Sequence, residues 1–365
     1  MKEEGDLRLR SVTEGIDALM TVDFYGRGFL WRAYNAVREA VGQPLTYKAA
    51  KGLVSALSSG PNPCVVIGTG FLISPHMKPE TDGPIGAALL ARALRLGFDA
   101  FPIIVAEDGV IDCLQGACQA AGLHVYRDAK KASDLSHSVA LLSIPADRSR
   151  SAQLFQELTD EYKPKAMVSI EHPGTNPLGV YHSGDGLELG SWVAPIEDLF
   201  RRIRERGGFT VGIGDIGNEI GFGGVRKQIA DIIPGGAKCR CPCGGGLVSA
   251  TECDAPIFAN VSEIGSYALI AALSAATGRK LLQDGRLQED VTRQAVLNGA
   301  VEGDMGRCEY AIDMLDVEYY KHIVELLQAI IDYSALTYQR SPHWLEWYDK
   351  QLGQARQTGR QQGAR

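Results

Sequence analysis

Short apolar runs alternate with helical segments through the middle of the chain, and this alternation constrains the fold more than any other feature. The run Cys64-Val65-Val66-Ile67 contains no charged residue, which is typical of a strand buried on both faces of a sheet. Repeated strand–helix units predict an α/β fold with a mostly parallel sheet and helices on both faces. The predicted strands are 64–67, 100–105, 139–144, 166–170 and 209–213, and the predicted helices between them are 83–96, 109–121, 150–162 and 195–206.

Helices are also predicted on either side of this core. Residues 16–57 place apolar side chains at helical spacing, with a break at Gly42-Gln43-Pro44. The predicted closing helices are 262–277, 287–300 and 318–338, and the resulting division is a helical N-terminal arm (1–60), an α/β catalytic domain (61–340) and a C-terminal tail (341–365) that is disordered at its end.

The composition favours a globular chain in a reducing compartment. Of the 365 residues 45% are hydrophobic, enough for a substantial core, and the net charge of −7 argues against a nucleic-acid surface. The longest apolar run, residues 267–276, is about half of the length that a membrane span needs. Residues 1–10 are charged throughout, and the eight cysteines read as reduced thiols, so we expect a cytoplasmic chain without nucleic-acid or membrane partners.

Acidic and glycine-rich loops follow three of the predicted strands. Ligands of open parallel sheets bind beyond the carboxyl ends of the strands, where such loops meet. We therefore expect the polar side chains of these loops to face one cleft. They are Thr69, Glu80 and Asp82 after the first strand, Glu171, His172 and Asp185 after the strand 166–170, and Asp215, Asn218 and Glu219 after the strand 209–213.

The first loop begins with Gly68-Thr69-Gly70, which suits either a phosphate-binding turn or a tight turn between a strand and a helix. It lacks the third glycine of the dinucleotide-binding spacing, and the chain has no Walker-type Gly-Lys-Ser/Thr. We therefore predict no nicotinamide or flavin cofactor. Glu80 and Asp82 have a second interpretation as caps of the helix that starts at residue 83, and Asp82 suits that role better.

The other two loops carry the stronger chemical signals. Glu171 and His172 stand side by side at the end of an apolar strand, where neither is a good turn former, and this favours a functional role. Asp215, Asn218 and Glu219 offer three oxygen ligands within five residues, which suits a hard cation such as Mg²⁺ or Mn²⁺. The alternative is a cap at Asp215 and a solvent-facing Glu219. A helix that began at residue 217 would place both carboxylates beside its first turn.

Four cysteines lie in one segment, at positions 239, 241, 243 and 253. Their spacing is not the two-residue knuckle of common zinc sites. Three glycines follow Cys243, which favours a compact turn with buried thiols. We expect no metal, iron–sulfur cluster or disulfide there. Among the scattered histidines, only His182 falls near the acidic loops.

The loops contain seven short sequence blocks that together carry a family resemblance. They are Thr69-Gly70-Phe71, Glu80-Thr81-Asp82-Gly83-Pro84, Glu171-His172-Pro173-Gly174, Gly184-Asp185-Gly186, Gly214-Asp215-Ile216-Gly217-Asn218-Glu219-Ile220-Gly221, Asp23 with Arg27-Gly28, and Gly299-Ala300-Val301-Glu302-Gly303. In combination these blocks resemble the D-glutamate cyclase C-terminal family over about residues 14–338. Two positions depart from the family pattern: Ile216 stands where the family loop has a glycine, and Glu263 adds a carboxylate in a segment that resembles Ser-Asn-Trp-Gly.

The resemblance implies a carbon–oxygen lyase that removes water from D-glutamate, a small amino acid, and forms 5-oxo-D-proline. A divalent ion, Mn²⁺ or Mg²⁺, would neutralise the carboxylate under attack. For this reaction the predicted metal ligands are Asp215, Asn218 and Glu219; the predicted catalytic residues are His172, Glu171 and Asp185; and the predicted substrate-binding residues are Thr69, Gly70, Glu80, Asp82 and Arg27, whose guanidinium suits an α-carboxylate.

Other functions fit the same residues. An acid-rich metal site also serves a hydrolase of a small lactam, an amide or a phosphate ester. A non-catalytic module that binds a small amino acid is the alternative outside enzymes. A homo-oligomer is compatible with every one of these interpretations.

Overall fold

A computed structural model describes residues 2–340 of the chain. The predicted α/β fold is confirmed: within this range a seven-stranded sheet forms the centre, and helices precede and follow it. The strands are β1 Cys64–Thr69, β2 Leu72–Ile73, β3 Lys78–Pro79, β4 Phe101–Ala106, β5 His124–Tyr126, β6 Ser138–Ser143, β7 Ala166–Ile170, β8 Phe209–Gly214, β9 Ala255–Phe258, β10 Ala311–Ile312 and β11 Leu315–Asp316.

Twelve α-helices surround the sheet within the described range. They are α1 Lys2–Met20, α2 Leu30–Val41, α3 Leu45–Leu57, α4 Pro84–Phe98, α5 Ile111–Ala120, α6 Ala129–Ser133, α7 Arg148–Tyr162, α8 Ile196–Glu205, α9 Arg226–Ile229, α10 Ser262–Thr277, α11 Gly285–Leu297 and α12 Val317–Arg340.

The seven long-sheet strands are all parallel, in the order β5-β6-β4-β1-β7-β8-β9. Alternate residues of the central strand β1 enter opposite cores: Val65 and Ile67 pack on one side, and Val66 on the other. Both faces are therefore covered, which is why this strand reads as a continuous apolar run. Parallel strands all end at the same edge, and the predicted loops accordingly leave the sheet there.

The N-terminal region has the predicted break between residues 41 and 45, but it has a second break that was not predicted. α1 ends at Met20, and a loop separates it from α2. The Asp23 carboxylate accepts hydrogen bonds from the backbone N–H groups of Arg27 and Gly28, at 3.0 and 2.9 Å. Gly26 and Gly28 have positive φ, which a helix cannot continue through. Helical spacing alone could not reveal this local capping, which directs Arg27 toward the end of β8.

Two strands of the main sheet were not predicted, β5 and β9. Each is a short strand at an edge of the sheet, with three residues in β5 and four in β9. The tail predicted for 341–365 lies outside the described residues. None of the helices described here combines the length and hydropathy needed to cross a bilayer.

Candidate functional site

Carboxylates from distant parts of the chain meet at the carboxyl edge of the sheet. Glu171 directly follows β7, and Asp215 directly follows β8. Ligand oxygens of Glu171, Asp215 and Glu219 lie within 4.8 Å of one another. The charges of Glu80 and Asp82 also act on Glu171, although both residues come from the loop before α4. We call Glu80, Asp82, Glu171, Asp215 and Glu219 the acidic cluster.

Arg27 brings a cation to this cluster. Its Nη1 atom donates to Asp215 Oδ2 at 2.9 Å and to the backbone carbonyl of Asn260 at 3.0 Å. The ring of Tyr25 lies below the guanidinium, 4.8 Å from Cζ to the ring centroid. The remaining guanidinium N–H groups can still receive an anion.

The Glu219 carboxylate closes the loop after β8. Oε1 accepts the backbone N–H groups of Asp215 and Ile216, each at 3.2 Å, and Oε2 accepts that of Gly217 at 2.7 Å. The helix considered for residue 217 is therefore absent, because this side chain satisfies the amides of the turn. Burial, with the charge of Asp215 next, raises the pKa of Glu219 to about 8.

Glu171 is held in an unusual backbone conformation. Its φ is +44°, the left-handed region that residues with a side chain seldom adopt. The Ser262 hydroxyl donates to Glu171 Oε2. Burial, followed by the charges of Glu219 and Asp215, raises the pKa of Glu171 well above its usual range. Strain of this kind persists where the surroundings fix it, and it is frequent at functional sites.

Asp82 caps a helix, but not the one that follows it in sequence. Its two oxygens accept the backbone N–H groups of Ser262, at 3.2 Å, and Glu263, at 2.6 Å, at the start of α10. Glu263 in turn caps α4, because its Oε2 accepts the backbone N–H groups of Gly83, at 3.3 Å, and Gly86, at 2.8 Å. The two helices thus exchange capping carboxylates beneath the cluster.

His172 is fully buried and already engaged through both ring nitrogens. Nε2 lies 3.1 Å from Glu107 Oε1, and Nδ1 lies 3.0 Å from the carbonyl oxygen of Pro173. Burial lowers the pKa of His172, but the Glu107 carboxylate, the charge of Glu197 and the Pro173 carbonyl together raise it by more. Two acceptors favour the doubly protonated ring.

Two other predicted residues point elsewhere. The Asn218 side-chain amide donates to the backbone carbonyl of His182 at 2.9 Å. Asp185 is exposed on a turn closed by the bond from Gly186 N to Ser183 O, and its charge contributes to the raised pKa of Asp304.

The segment 302–314 supplies further neighbours of the acidic cluster, of which only Glu302 and Gly303 belong to the sequence blocks described above. Gly303 is squeezed between Glu80 and Asp313: a Cβ atom there would lie 2.8 Å from Glu80 Oε2 and 3.2 Å from Asp313 Oδ1. Glu302 shapes the segment by accepting the backbone N–H groups of Asp304, Met305 and Met314. Periodicity carried no signal here, because β10 and β11 have two residues each.

Several buried polar atoms around the cluster have no hydrogen-bond partner among the described residues. Thr69 Oγ1, Glu80 Oε1 and both side-chain polar atoms of Asn260 are in this state. Gly70, next to Thr69, has φ +117°, so only glycine suits that turn. Buried polar groups without partners are rare in folded proteins and commonly await a ligand or an ion.

The donor set fits a hard divalent cation. Glu171, Asp215 and Glu219 offer carboxylate oxygens close enough together to share one ion, as Mg²⁺ and Mn²⁺ prefer. Burial is the largest cause of the raised pKa of Glu80, Asp82 and Glu171, and a bound cation would offset the cost of burying their negative charges.

A groove of about 1000 Å³ lies elsewhere, between α1, α3 and α12, and none of these carboxylates lines it.

The cysteines group differently from the expectation. Cys239, Cys241 and Cys243 lie together, but Cys253 is apart, with its Sγ donating to the carbonyl of Gly221 at 3.1 Å. His182 takes the fourth position, 3.2 Å from Cys241 Sγ. Spacing between cysteines could not show a ligand from another loop.

Comparison with known proteins identifies the family of the chain. The chain is 30% identical over 229 residues to human (Homo sapiens) "D-glutamate cyclase, mitochondrial", a stretch that covers 60% of this chain and 34% of the human protein. This chain thus matches about a third of that relative's length. The family model described as "D-glutamate cyclase-like, C-terminal" matches residues 16–328. The chain therefore belongs to the D-glutamate cyclase-like, C-terminal family.

Proposed function

We propose that this protein removes water from D-glutamate, or from a related amino diacid, to form 5-oxo-D-proline with Mn²⁺ or Mg²⁺. The observation that carries the proposal is the meeting of buried carboxylates with Arg27 at the strand ends of a chain in this family. In the reaction the α-amine attacks the γ-carboxylate of the same molecule, and one oxygen leaves as water. The amine must lose protons and the departing oxygen must gain them.

Arg27 would bind the α-carboxylate of the substrate. Its fork geometry suits a carboxylate, and its contact with Asp215 already fixes it at the end of β8. The unpaired Thr69 hydroxyl and Asn260 amide are available to hold further substrate oxygens or the amine. Gly70 lets the backbone approach, and Glu80 offers an unpaired oxygen to the amine.

Asp215 and Glu219 would hold the cation, with Glu171 beside it. When bound, the cation would supply positive charge against the carboxylate under attack. Glu171 would carry protons from the amine to the departing oxygen, because burial raises the pKa of this carboxyl and so favours its taking up a proton. His172, engaged at both nitrogens, would position Glu107 and the strand end rather than act as the base.

The test uses purified full-length chain with D-glutamate, L-glutamate and 5-oxo-D-proline, each with and without Mn²⁺, followed by mass spectrometry. We expect D-glutamate to lose the mass of one water only with protein and Mn²⁺. Reaction only with 5-oxoproline would indicate a lactam hydrolase. Binding of glutamate without turnover, with or without metal, would indicate a binding module and contradict the proposal.

Variants separate the assigned roles. Asp215→Asn should weaken Mn²⁺ affinity and turnover together, whereas Glu171→Gln should reduce turnover at saturating Mn²⁺ with affinity nearly unchanged. His172→Asn should shift the pH profile of turnover more than it changes Mn²⁺ affinity. A Glu219→Gln variant with full activity and unchanged Mn²⁺ affinity would refute its assignment as a ligand.

A further inference from the structure

A second cluster of ligand-type side chains lies outside the acidic cluster. His182 Nε2 is 3.2 Å from Cys241 Sγ and 3.5 Å from Cys243 Sγ. Cys239 Sγ is 3.5 Å from Cys241 Sγ and 3.3 Å from Cys243 Sγ. All four ligand atoms lie within 4.8 Å of one another. We call these residues the thiol cluster.

These separations match the edges of a small tetrahedron. A zinc ion with bonds of about 2.3 Å to sulfur and about 2.05 Å to nitrogen requires about 3.8 Å between sulfurs and about 3.6 Å between sulfur and nitrogen. The sulfurs of the thiol cluster stand a few tenths of an ångström closer than this. They are well beyond the covalent distance of a disulfide, about 2.05 Å.

We propose that His182, Cys239, Cys241 and Cys243 form a structural zinc site. Thiolate and imidazole ligands are the set that zinc prefers, and they differ in kind from the carboxylates of the acidic cluster. Three cysteines and one histidine fill a tetrahedral shell and leave no position for water or substrate. The ion would therefore fix the structure and take no part in turnover.

The site would join two long irregular loops. Residues 171–195 and 230–254 contain no helix or sheet strand longer than an isolated bridge, and irregular segments of this length are uncommon inside a compact domain. The loops already touch: the backbone N–H groups of Arg240 and Cys241 donate to the carbonyl of Gly186, at 2.9 and 3.2 Å. Asn176 Nδ2 donates to the carbonyl of Gly246 at 2.8 Å and lies 3.5 Å from Cys243 Sγ. A metal that closes such loops adds stability that backbone contacts alone do not supply.

The thiol cluster is also linked to the loop that carries part of the acidic cluster. His182 gives its backbone carbonyl to the Asn218 side chain at 2.9 Å, and Asn218 lies between Asp215 and Glu219 in sequence. An ion that fixes His182 would thereby hold the loop after β8 in place.

The decisive measurement is the zinc content of the full-length chain, purified without chelator from cells grown with added zinc. Inductively coupled plasma mass spectrometry should find roughly one zinc per chain, since one set of four protein ligands binds one ion. Cys241→Ser and His182→Ala should lower the zinc content to background. Cys308→Ser is the matched control, because Cys308 is an exposed cysteine outside the thiol cluster, and this variant should keep its zinc.

A spectroscopic test on the unaltered sequence does not depend on how the variants fold. Replacement of the metal by Co²⁺ should produce an intense thiolate-to-cobalt charge-transfer band and the visible bands of a tetrahedral ion. Both should be lost on titration with a thiol-specific mercurial. A zinc-free chain without the cobalt–thiolate band would overturn the proposal. Equal zinc in Cys241→Ser would assign the ion to the acidic cluster instead.

Discussion

At the scale of single residues, the carboxylates of the acidic cluster differ in what already holds them. The Glu219 carboxylate accepts hydrogen bonds from three backbone N–H groups, and that of Glu171 accepts one from a hydroxyl. The Asp215 carboxylate accepts one from a guanidinium. Of these three carboxylates, Glu219 therefore has the least remaining capacity for a ligand. The pairing of Arg27 with Asp215 also means that a cation at Asp215 and a substrate at Arg27 would change the same contact.

We predict that Arg27→Lys raises the KM for D-glutamate at least about tenfold, because a lysine keeps the charge but loses the forked geometry. The measurement is steady-state kinetics at saturating Mn²⁺. Arg38→Lys is the control, since Arg38 pairs with Glu14 at the surface and should leave KM unchanged. Equal KM values for the two variants would exclude Arg27 from substrate binding.

Single residues also show how far the sequence could lead to the site. Glu171 and Asp215 could be found because they directly follow buried strands whose ends share one edge. Asp313 could not, because its position depends on how the segment 302–314 packs against Glu80. The second role of Asp82 depended on a helix that starts 180 residues later in the chain.

At the scale of elements, the exchange of caps between α4 and α10 links the two helices that begin at the acidic cluster. The two oxygens of Asp82 accept two buried backbone N–H groups. An asparagine at this position would keep one of these oxygens and place an NH₂ group against the other N–H donor, which would lose its partner. Exposed caps have no such demand, because Asn and Asp cap about equally well there.

We predict that Asp82→Asn lowers the free energy of unfolding by about 2 kcal/mol, the cost of an unpaired buried N–H group. Asp284→Asn, at the exposed cap of α11, should change it by less than about 0.5 kcal/mol. Urea unfolding followed by circular dichroism measures both. Similar values for the two variants would mean that the buried exchange of caps adds nothing.

The packing of α3 on the sheet gives a second prediction for an element. A Cβ atom on Gly52 would meet the Phe209 ring with only 1.9 Å to Cζ, whereas one on Gly15 in α1 would lie 3.5 Å from Ile330 Cγ2. Gly52→Ala should therefore destabilise the protein by about 1–3 kcal/mol through overpacking. Gly15→Ala should stabilise it by up to about 1 kcal/mol, since alanine favours a helix. Thermal unfolding checks the opposite signs, and a gain of stability at both positions would contradict the close contact.

At the scale of the whole molecule, the buried acids make stability depend on pH. Burial raises the pKa of Glu263 from 4.5 to about 8. The folded protein then binds more protons than the unfolded chain between these values, so stability is complete below pH 4.5 and falls as pH rises toward 8. A bound cation favours the charged carboxylates of the acidic cluster and should reduce the dependence.

We predict that metal-free protein loses on the order of 3 kcal/mol of unfolding free energy between pH 5.5 and 8 through Glu263. Glu263→Gln keeps an acceptor oxygen but cannot titrate, so the loss should be smaller in this variant. Glu39→Gln, an exposed carboxylate on α2, should follow the unaltered protein. Urea unfolding at the two pH values is the measurement, and parallel curves for all three proteins would show that Glu263 titrates alike in both states.

The general architecture followed from the sequence because β1, β4, β6, β7 and β8 are apolar runs separated by helical patterns. The edge strands β5 and β9 are too short to repeat a pattern, and their existence depends on the neighbours they pair with. The same holds for the thiol cluster, whose histidine and cysteines come from different loops.

The exchange of caps between Asp82 and Glu263 has a consequence for synthesis on the ribosome. The N–H groups of Gly83 and Gly86 find their partner only when residue 263 has been made. At about 5–20 residues per second, that interval lasts roughly 10 to 35 seconds. Until Glu263 is made, the start of α4 lacks this cap, and for most of this time the sheet also lacks β9. The strand ends that form the acidic cluster therefore stay exposed in the nascent chain. A chaperone that binds nascent chains late in this window should therefore meet the apolar edge of β8 before the sheet is complete.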